Sequence, residues 1–402
     1  MKYLIGLIAL ALPTYLIRFN ILGVPTTLLE IIIYLVFIYG IINIAYCQWL
    51  EVRRRVWLPV AILLLGLVLA TYIAPDKFEA IGQVKAFFID PLMVFLLMIC
   101  YLHAKDFIWI LYGLAGSGLV VSIHAIFQKI LGHVTSDGRV IGVFGYSPNY
   151  VALFLAPIAV MTLAYGIAMM VKKRSWLSYV MFLVSSISLI AVYFSGSRAG
   201  LLVIAGGTAF YLILFFWDFF KKELWKKVVL ALLIVAAIGT SWFAFRPDFS
   251  VSAQNGGRIS SSNNIRWEIW KSSLELIKAH PILGVGLGNF QNSFGELTKD
   301  RTNFLEFITP EAFSPHNIFL AFWLSTTIFG FIAFIWLLMI FYLVGFSNLK
   351  SSVSQILLAA MTALLLQGLV DTPYFKNDLA VFFWLVFGVM IVLTKKETLP
   401  GK

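Results

Sequence analysis

Long apolar runs, each closed by a short polar or charged cluster, alternate along almost the whole chain. They lie at Tyr3–Ile17, Thr26–Tyr46, Trp57–Ala74, Phe87–Leu102, Phe107–Phe127 and Tyr150–Val171. Others follow at Trp176–Tyr193, Ala199–Phe220, Val228–Phe245, Asn317–Leu343, Ser352–Val370 and Leu379–Thr394. Each is near the roughly 20 residues that carry an α-helix across a hydrocarbon core, where backbone groups must be satisfied within the segment. The pattern predicts an all-α fold, a polytopic transmembrane helix bundle of about twelve spans. No fixed-period repeat or long polar linker divides it, so residues 1–402 read as one integral membrane domain. The first run follows Lys2 and lacks a clean small-x-small cleavage site, so it reads as a signal anchor.

Two polar segments stand apart. One is Gln128–Asn149; the other, residues 246–316, is a long extracytoplasmic loop inserted before the tenth span, far longer than an ordinary connection. Ser250–Asn264 is rich in Ser, Asn and Gly and reads as coil. Ile265–Ala279 reads as an amphipathic helix, with Glu268, Lys271, Glu275 and Lys278 on one face and Lys271 spaced to pair with Glu275. Trp267, Trp270, Leu274 and Ile277 flank one side of the opposite arc, and Ile265, Ile269 and Leu276 flank the other. Arg266 falls in the middle of that apolar arc, where a guanidinium calls for an anion. His280-Pro281 ends the helix.

Composition sharpens the class. With 61% of its 402 residues hydrophobic, 12% charged and a mean hydropathy of +0.92, the chain could not hide its apolar surface in a soluble fold. A net charge of +11 raises the question of nucleic acid, and its distribution answers against it. With the amino terminus in the cytoplasm, sixteen Lys and Arg fall in cytoplasmic positions and only seven in short outer loops; the remaining seven lie in the long loop, which escapes the positive-inside rule. Both termini are then cytoplasmic.

Candidate chemistry gathers at the outer face. Arg198 lies in Ser195-Gly196-Ser197-Arg198-Ala199-Gly200, a connection of a few residues that pins it at the membrane surface. Ser197 or Ser195 can cap the next helix, whose free amides favour a phosphate to which a guanidinium adds bidentate reach. The plainer reading is an arginine snorkelling to lipid headgroups. His316, in Ser314-Pro315-His316-Asn317, stands where the long loop re-enters the membrane and can serve as a general base in its neutral form, although an interfacial histidine at a helix start also needs no function. Gly284-Val285-Gly286-Leu287-Gly288 has no preceding strand and reads as a tight turn that admits close backbone approach rather than as a nucleotide loop. No Asp-x-Asp, His-x-x-x-His or Cys-x-x-Cys spacing occurs in any outer segment, so no metal site is expected.

These residues, in this order and sidedness, resemble the O-antigen ligase and O-antigen polymerase family. The resemblance rests on Arg198 in Ser-Gly-Ser-Arg-Ala-Gly, Arg266 with Trp270, the run Pro281–Phe290, and His316-Asn317 opening a span. Weaker matches are Gly138-Arg139 with Pro148-Asn149, and Asp371. It implies a bacterial inner-membrane glycosyltransferase that needs neither metal nor cofactor. Its donor would be a polyprenyl-diphosphate-linked glycan, such as one on undecaprenyl diphosphate, and its acceptor a hydroxyl on a lipid, glycan or protein. On that template Arg198 and Arg266 hold the diphosphate and His316 takes the acceptor's proton. Arg139, Asn149, Asn317 and Asp371 are supporting candidates. The sequence departs from the ligase pattern at Ser325 and Thr327, where an acidic residue and a glycine are usual, and Gly330 is retained. The rival classes are a polymerase of the same family, a flippase or secondary transporter, and an inactive envelope partner. A transporter would place charges in its spans and show two related halves, whereas here the spans are nearly free of Asp, Glu, Lys and Arg and the halves look unlike.

Overall fold

The computed structural model describes residues 1–21, 23–43, 54–145, 147–172, 175–217, 262–300 and 312–394. The expected span Val228–Phe245 and nearly all of the expected coil Ser250–Asn264 lie outside them. Among the described residues the protein is an all-α polytopic bundle with one small hairpin added. Its helices are α1 (Lys2–Leu10), α2 (Leu28–Ile42), α3 (Arg54–Ile73), α4 (Lys77–Val84), α5 (Asp90–Tyr101), α6 (Phe107–Ile130) and α7 (Pro148–Val171). They continue as α8 (Ser175–Phe194), α9 (Arg198–Phe215), α10 (Ser262–Ala279), α11 (Phe290–Thr298), α12 (Ile318–Ser347), α13 (Ser352–Gly368) and α14 (Asn377–Val392). Among the described residues, seven helical segments are long and apolar enough to cross a membrane: Val56–Ile73, Lys77–Tyr101, Ala104–Ile130, Pro148–Val171, Trp176–Phe194, Arg198–Phe215 and Ile318–Ser347. Helices α2, α13 and α14 are apolar but shorter.

The first apolar run departs from expectation. Helix α1 has nine residues, only about 14 Å of rise. Pro13 then brings no amide, and the chain tightens into a 3₁₀ turn at Leu12–Leu16. Strand β1 (Arg18–Ile21) follows and pairs antiparallel with β2 (Val24–Thr27), so the run does not form one spanning helix. Thr27 and Glu30 close a reciprocal capping box at the start of α2. Buried Glu30 also binds Lys85 at 2.8 Å and Asn377 at 3.4 Å, tying α2 to the π-turn Lys85–Ile89 between α4 and α5 and to the start of α14.

Helix α12 is broken where the sequence predicts a continuous span. Thr326 and Thr327 leave helical geometry, and Thr327 takes φ +65°, ψ 173°, a region that L side chains avoid. The amides and carbonyls freed by the break are met by the glycine-rich turn after α10. Val285 and Gly286 donate to the Leu324 carbonyl at 2.8 and 3.2 Å, and Ile328 donates to the Ile282 carbonyl at 2.9 Å. Gly284 has φ +66°, and a Cβ there would collide with the Trp323 and Leu324 carbonyls, so the close backbone approach read from the sequence is realised against α12. The break leaves a short half-helix from Ile318 and a longer one running to Ser347. Phe322 and Phe334 stack across it at 3.9 Å between ring centroids, and Tyr374 packs on Phe322 at 4.8 Å, seating the loop between α13 and α14 against the short half-helix.

Candidate active site at one end of the bundle

Helix α10 starts at Ser262, three residues ahead of the expected Ile265. Its buried side is formed by Ile269, Ser272, Ser273, Leu276 and Ile277, while Trp267 and Leu274 are exposed; Lys271 reaches back to Glu268 at 3.0 Å. Arg266 and Trp270 are one turn apart and share a face. Arg266 Nε donates to the Val370 carbonyl and Trp270 Nε1 donates to the His316 carbonyl, each at 3.1 Å. One helix thus clamps two loops that are far apart in sequence. Asn317 closes the gap between those loops. Its Nδ2 donates to the Leu369 carbonyl at 3.1 Å, while its Oδ1 accepts from the Phe319 and Leu320 amides and caps α12.

These ties bring His316 Nδ1 to 3.7 Å from Asp371 Oδ1, an ion-pair distance rather than a hydrogen bond. The His316 backbone has φ +47°, an unfavourable conformation for a side chain with a Cβ, held by Trp270 on its carbonyl and by the Asn317 cap that follows. Asp371 is buried. Burial pushes its carboxyl up, but His316, Lys376 and the Thr372 amide more than offset this and hold it below the ordinary carboxylate range. Burial lowers the pKa of the Arg266 guanidinium; Asp371 opposes that shift and Arg139 adds to it.

Arg139 and Asn149 join the same assembly. Arg139 Nε donates to the Ser195 carbonyl at 2.7 Å and its Nη2 to Asn149 Oδ1 at 2.9 Å. Gly196, at φ +65°, has no room for a Cβ because Arg139 Nε would lie 2.9 Å from it. Ser197 caps α9 through the Gly200 amide, as one of the two serines was expected to do. Arg198 follows it, exposed in the first turn of α9, three residues after the Ser195 carbonyl that Arg139 binds. Ser325 lies at the break in α12 and Thr327 within it, well away from His316 along the helix. Trp270, quoted in the sequence only as part of a motif, contacts His316, and Lys376, counted only as an outer-loop charge, acts on Asp371 through its charge. A tryptophan followed three-dimensionally to a backbone carbonyl leaves no periodic signal, so neither role could be read beforehand.

Residues 182–335 match the model of the family described as O-antigen ligase. The match includes Arg198, Arg266, the glycine-rich turn and His316, and leaves Arg139, Asn149 and Asp371 outside it. A Haemophilus influenzae protein described as uncharacterized is 24% identical over 259 residues, 58% of this chain and 59% of that protein. The chain therefore spans about three-fifths of the length of that relative.

Proposed function

We infer, from the match of residues 182–335 to the O-antigen ligase family, that this integral membrane protein is a glycosyltransferase working on the outer side of the bacterial inner membrane. It moves a glycan from a polyprenyl-diphosphate carrier, such as undecaprenyl diphosphate, to an acceptor hydroxyl. The acceptor oxygen forms a bond to the anomeric carbon as the bond from that carbon to the phosphate oxygen breaks. The lipid diphosphate leaves with the electron pair, and the acceptor's proton passes to His316.

The observation that supports this reading is the pairing of His316 Nδ1 with buried Asp371 beside Arg266. With Nδ1 facing a carboxylate, Nε2 is the ring nitrogen left to accept a proton, and the carboxylate offsets the charge the imidazole gains. Arg198 and Arg266 would balance negative charge on the leaving diphosphate, with Arg139 and Asn149 in support. Because diphosphate leaves readily, positioning and cationic stabilisation supply most of what is needed, and neither a divalent metal nor ATP is required.

Purified protein in liposomes with a polyprenyl-diphosphate glycan tests the assignment. His316→Ala should lower transfer by roughly 10²–10⁴-fold, and Arg198→Ala or Arg266→Ala by about 10²–10³-fold, with protein levels maintained. Full activity in all three variants would remove the site. Transfer should persist in excess chelator and without ATP. Supplying lipid-core, protein and lipid-linked-glycan acceptors in turn separates a ligase from a polymerase.

A further inference from the structure

Two adjacent residues in the first turn of α7 hold cations that come from different loops. Asn149 accepts from Arg139. Tyr150 accepts from Lys376 Nζ through its hydroxyl, and its ring centroid lies 3.8 Å from the same amino group. Lys376 belongs to the loop between α13 and α14, and its charge acts on Asp371 in that loop. Arg139 in turn acts on Arg266. Arg139, Arg266 and Lys376 therefore converge around the pairing of Asp371 with His316. Asp371 and Asp378 are the buried carboxylates near Lys376, and Asp137 Oδ2 lies 3.8 Å from Arg139 Nη1.

A lysine at a membrane surface ordinarily extends its flexible stem so that the ammonium reaches headgroups. Lys376 instead is half-buried and laid on an aromatic face, an arrangement that gives up rotamer freedom. An ammonium has three hydrogens, and Tyr150 takes one, leaving two for oxygen ligands that approach the cluster. Resting on the donor reading above, we propose that Lys376 is a further diphosphate-binding residue and that Tyr150 is the positioning residue that aims it. The ligand chemistry is a pair of linked phosphates, carried on a polyprenyl chain or free as inorganic pyrophosphate.

Binding to the full chain in detergent, followed by thermal-shift titration, tests this with undecaprenyl diphosphate in one arm and inorganic pyrophosphate in the other. Lys376→Met should weaken undecaprenyl diphosphate binding by about tenfold, the equivalent of one charge-assisted hydrogen bond. Lys376→Arg should stay near the unsubstituted chain. Tyr150→Phe, which keeps the ring and removes only the hydroxyl, should weaken binding by a smaller factor and raise KM for the donor while leaving kcat nearly unchanged. Pyrophosphate binding that falls in parallel would assign the site to the phosphates themselves, whereas loss in the lipid arm alone would assign it to the lipid-borne form. If Lys376→Met and Tyr150→Phe, both eluting as folded protein, bind undecaprenyl diphosphate as tightly as the unsubstituted chain, Lys376 has no such role and the donor reading stands. If the unsubstituted chain binds neither probe, the donor reading falls and takes this proposal with it.

Discussion

The side chains at the site are held by backbone carbonyls as much as by one another. Arg266 rests on Val370, Trp270 on His316, Arg139 on Ser195 and Asn317 on Leu369. Replacing such a donor loosens a loop rather than deleting a reacting group. Trp270→Phe removes one hydrogen bond, about 0.5–1.5 kcal/mol, and frees the left-handed His316 backbone; kcat should fall while donor KM is little changed, as steady-state kinetics would show. Asp371→Asn keeps the shape but not the charge, and transfer should drop by about tenfold to a hundredfold, less than for His316→Ala. The depressed pKa of Asp371 also has a stability consequence. A carboxyl whose folded pKa lies below its unfolded value near 3.9 contributes stability that is fully present above about pH 4 and is lost as pH falls through the folded value. The gap in melting temperature between the unsubstituted chain and Asp371→Asn should therefore be flat from neutral pH to about pH 5 and close only in strong acid. A gap that closes between pH 7 and 6 would contradict the assignment.

At the scale of elements, the break in α12 and the glycine-rich turn form one unit. Thr327 occupies a conformation that costs a residue with a Cβ roughly 1–3 kcal/mol, and its hydroxyl recovers part of this by accepting the Phe329 amide. Thr327→Gly relieves the strain and should raise the melting temperature slightly, since glycine is nearly as good a cap as threonine. Gly284→Ala works in the other direction: a methyl would meet two carbonyls of α12, costing about 1–3 kcal/mol by overpacking. Differential scanning fluorimetry in detergent checks both, and a stabilising Gly284→Ala would mean that the turn does not dock as described. The turn after α10 supplies partners for the Leu324 carbonyl and the Ile328 amide that the break at Thr327 leaves without helical ones.

Across the whole molecule, the contacts converge on one end of the bundle. The starts of α2, α7, α9, α12 and α14 and the end of α13 all lie there, bound through Glu30, Asn149, Ser195, His316, Asn377 and Leu369. Glycosyl transfer outside the cytoplasm requires this end to face outward. Asp137 and Lys172 flank α7 at its opposite ends, so reporter fusions after each should read opposite sides of the membrane: phosphatase activity after Asp137 and cytoplasmic fluorescence after Lys172. The reverse result would invert the topology and place the site on the wrong side for the proposed donor.

Apolar runs of near-spanning length settled the class of the fold, because continuous apolar stretches of about 20 residues suit a spanning helix, whereas a barrel strand would be about 10 residues of alternating pattern. Short motifs named Arg198, Arg266 and His316 as candidates, since the chemistry each could supply is local to the residue and its neighbours. Pro13 ending α1 early, the hairpin that follows, and the break at Thr327 were hidden, since an apolar run reads alike whether the helix inside it is continuous or interrupted. Only the tertiary structure joined Trp270 to the His316 carbonyl, Asp371 to the imidazole and Lys376 to Tyr150. Those pairings connect residues between 46 and 226 positions apart, and they follow from where helices end in space rather than from any period along the chain.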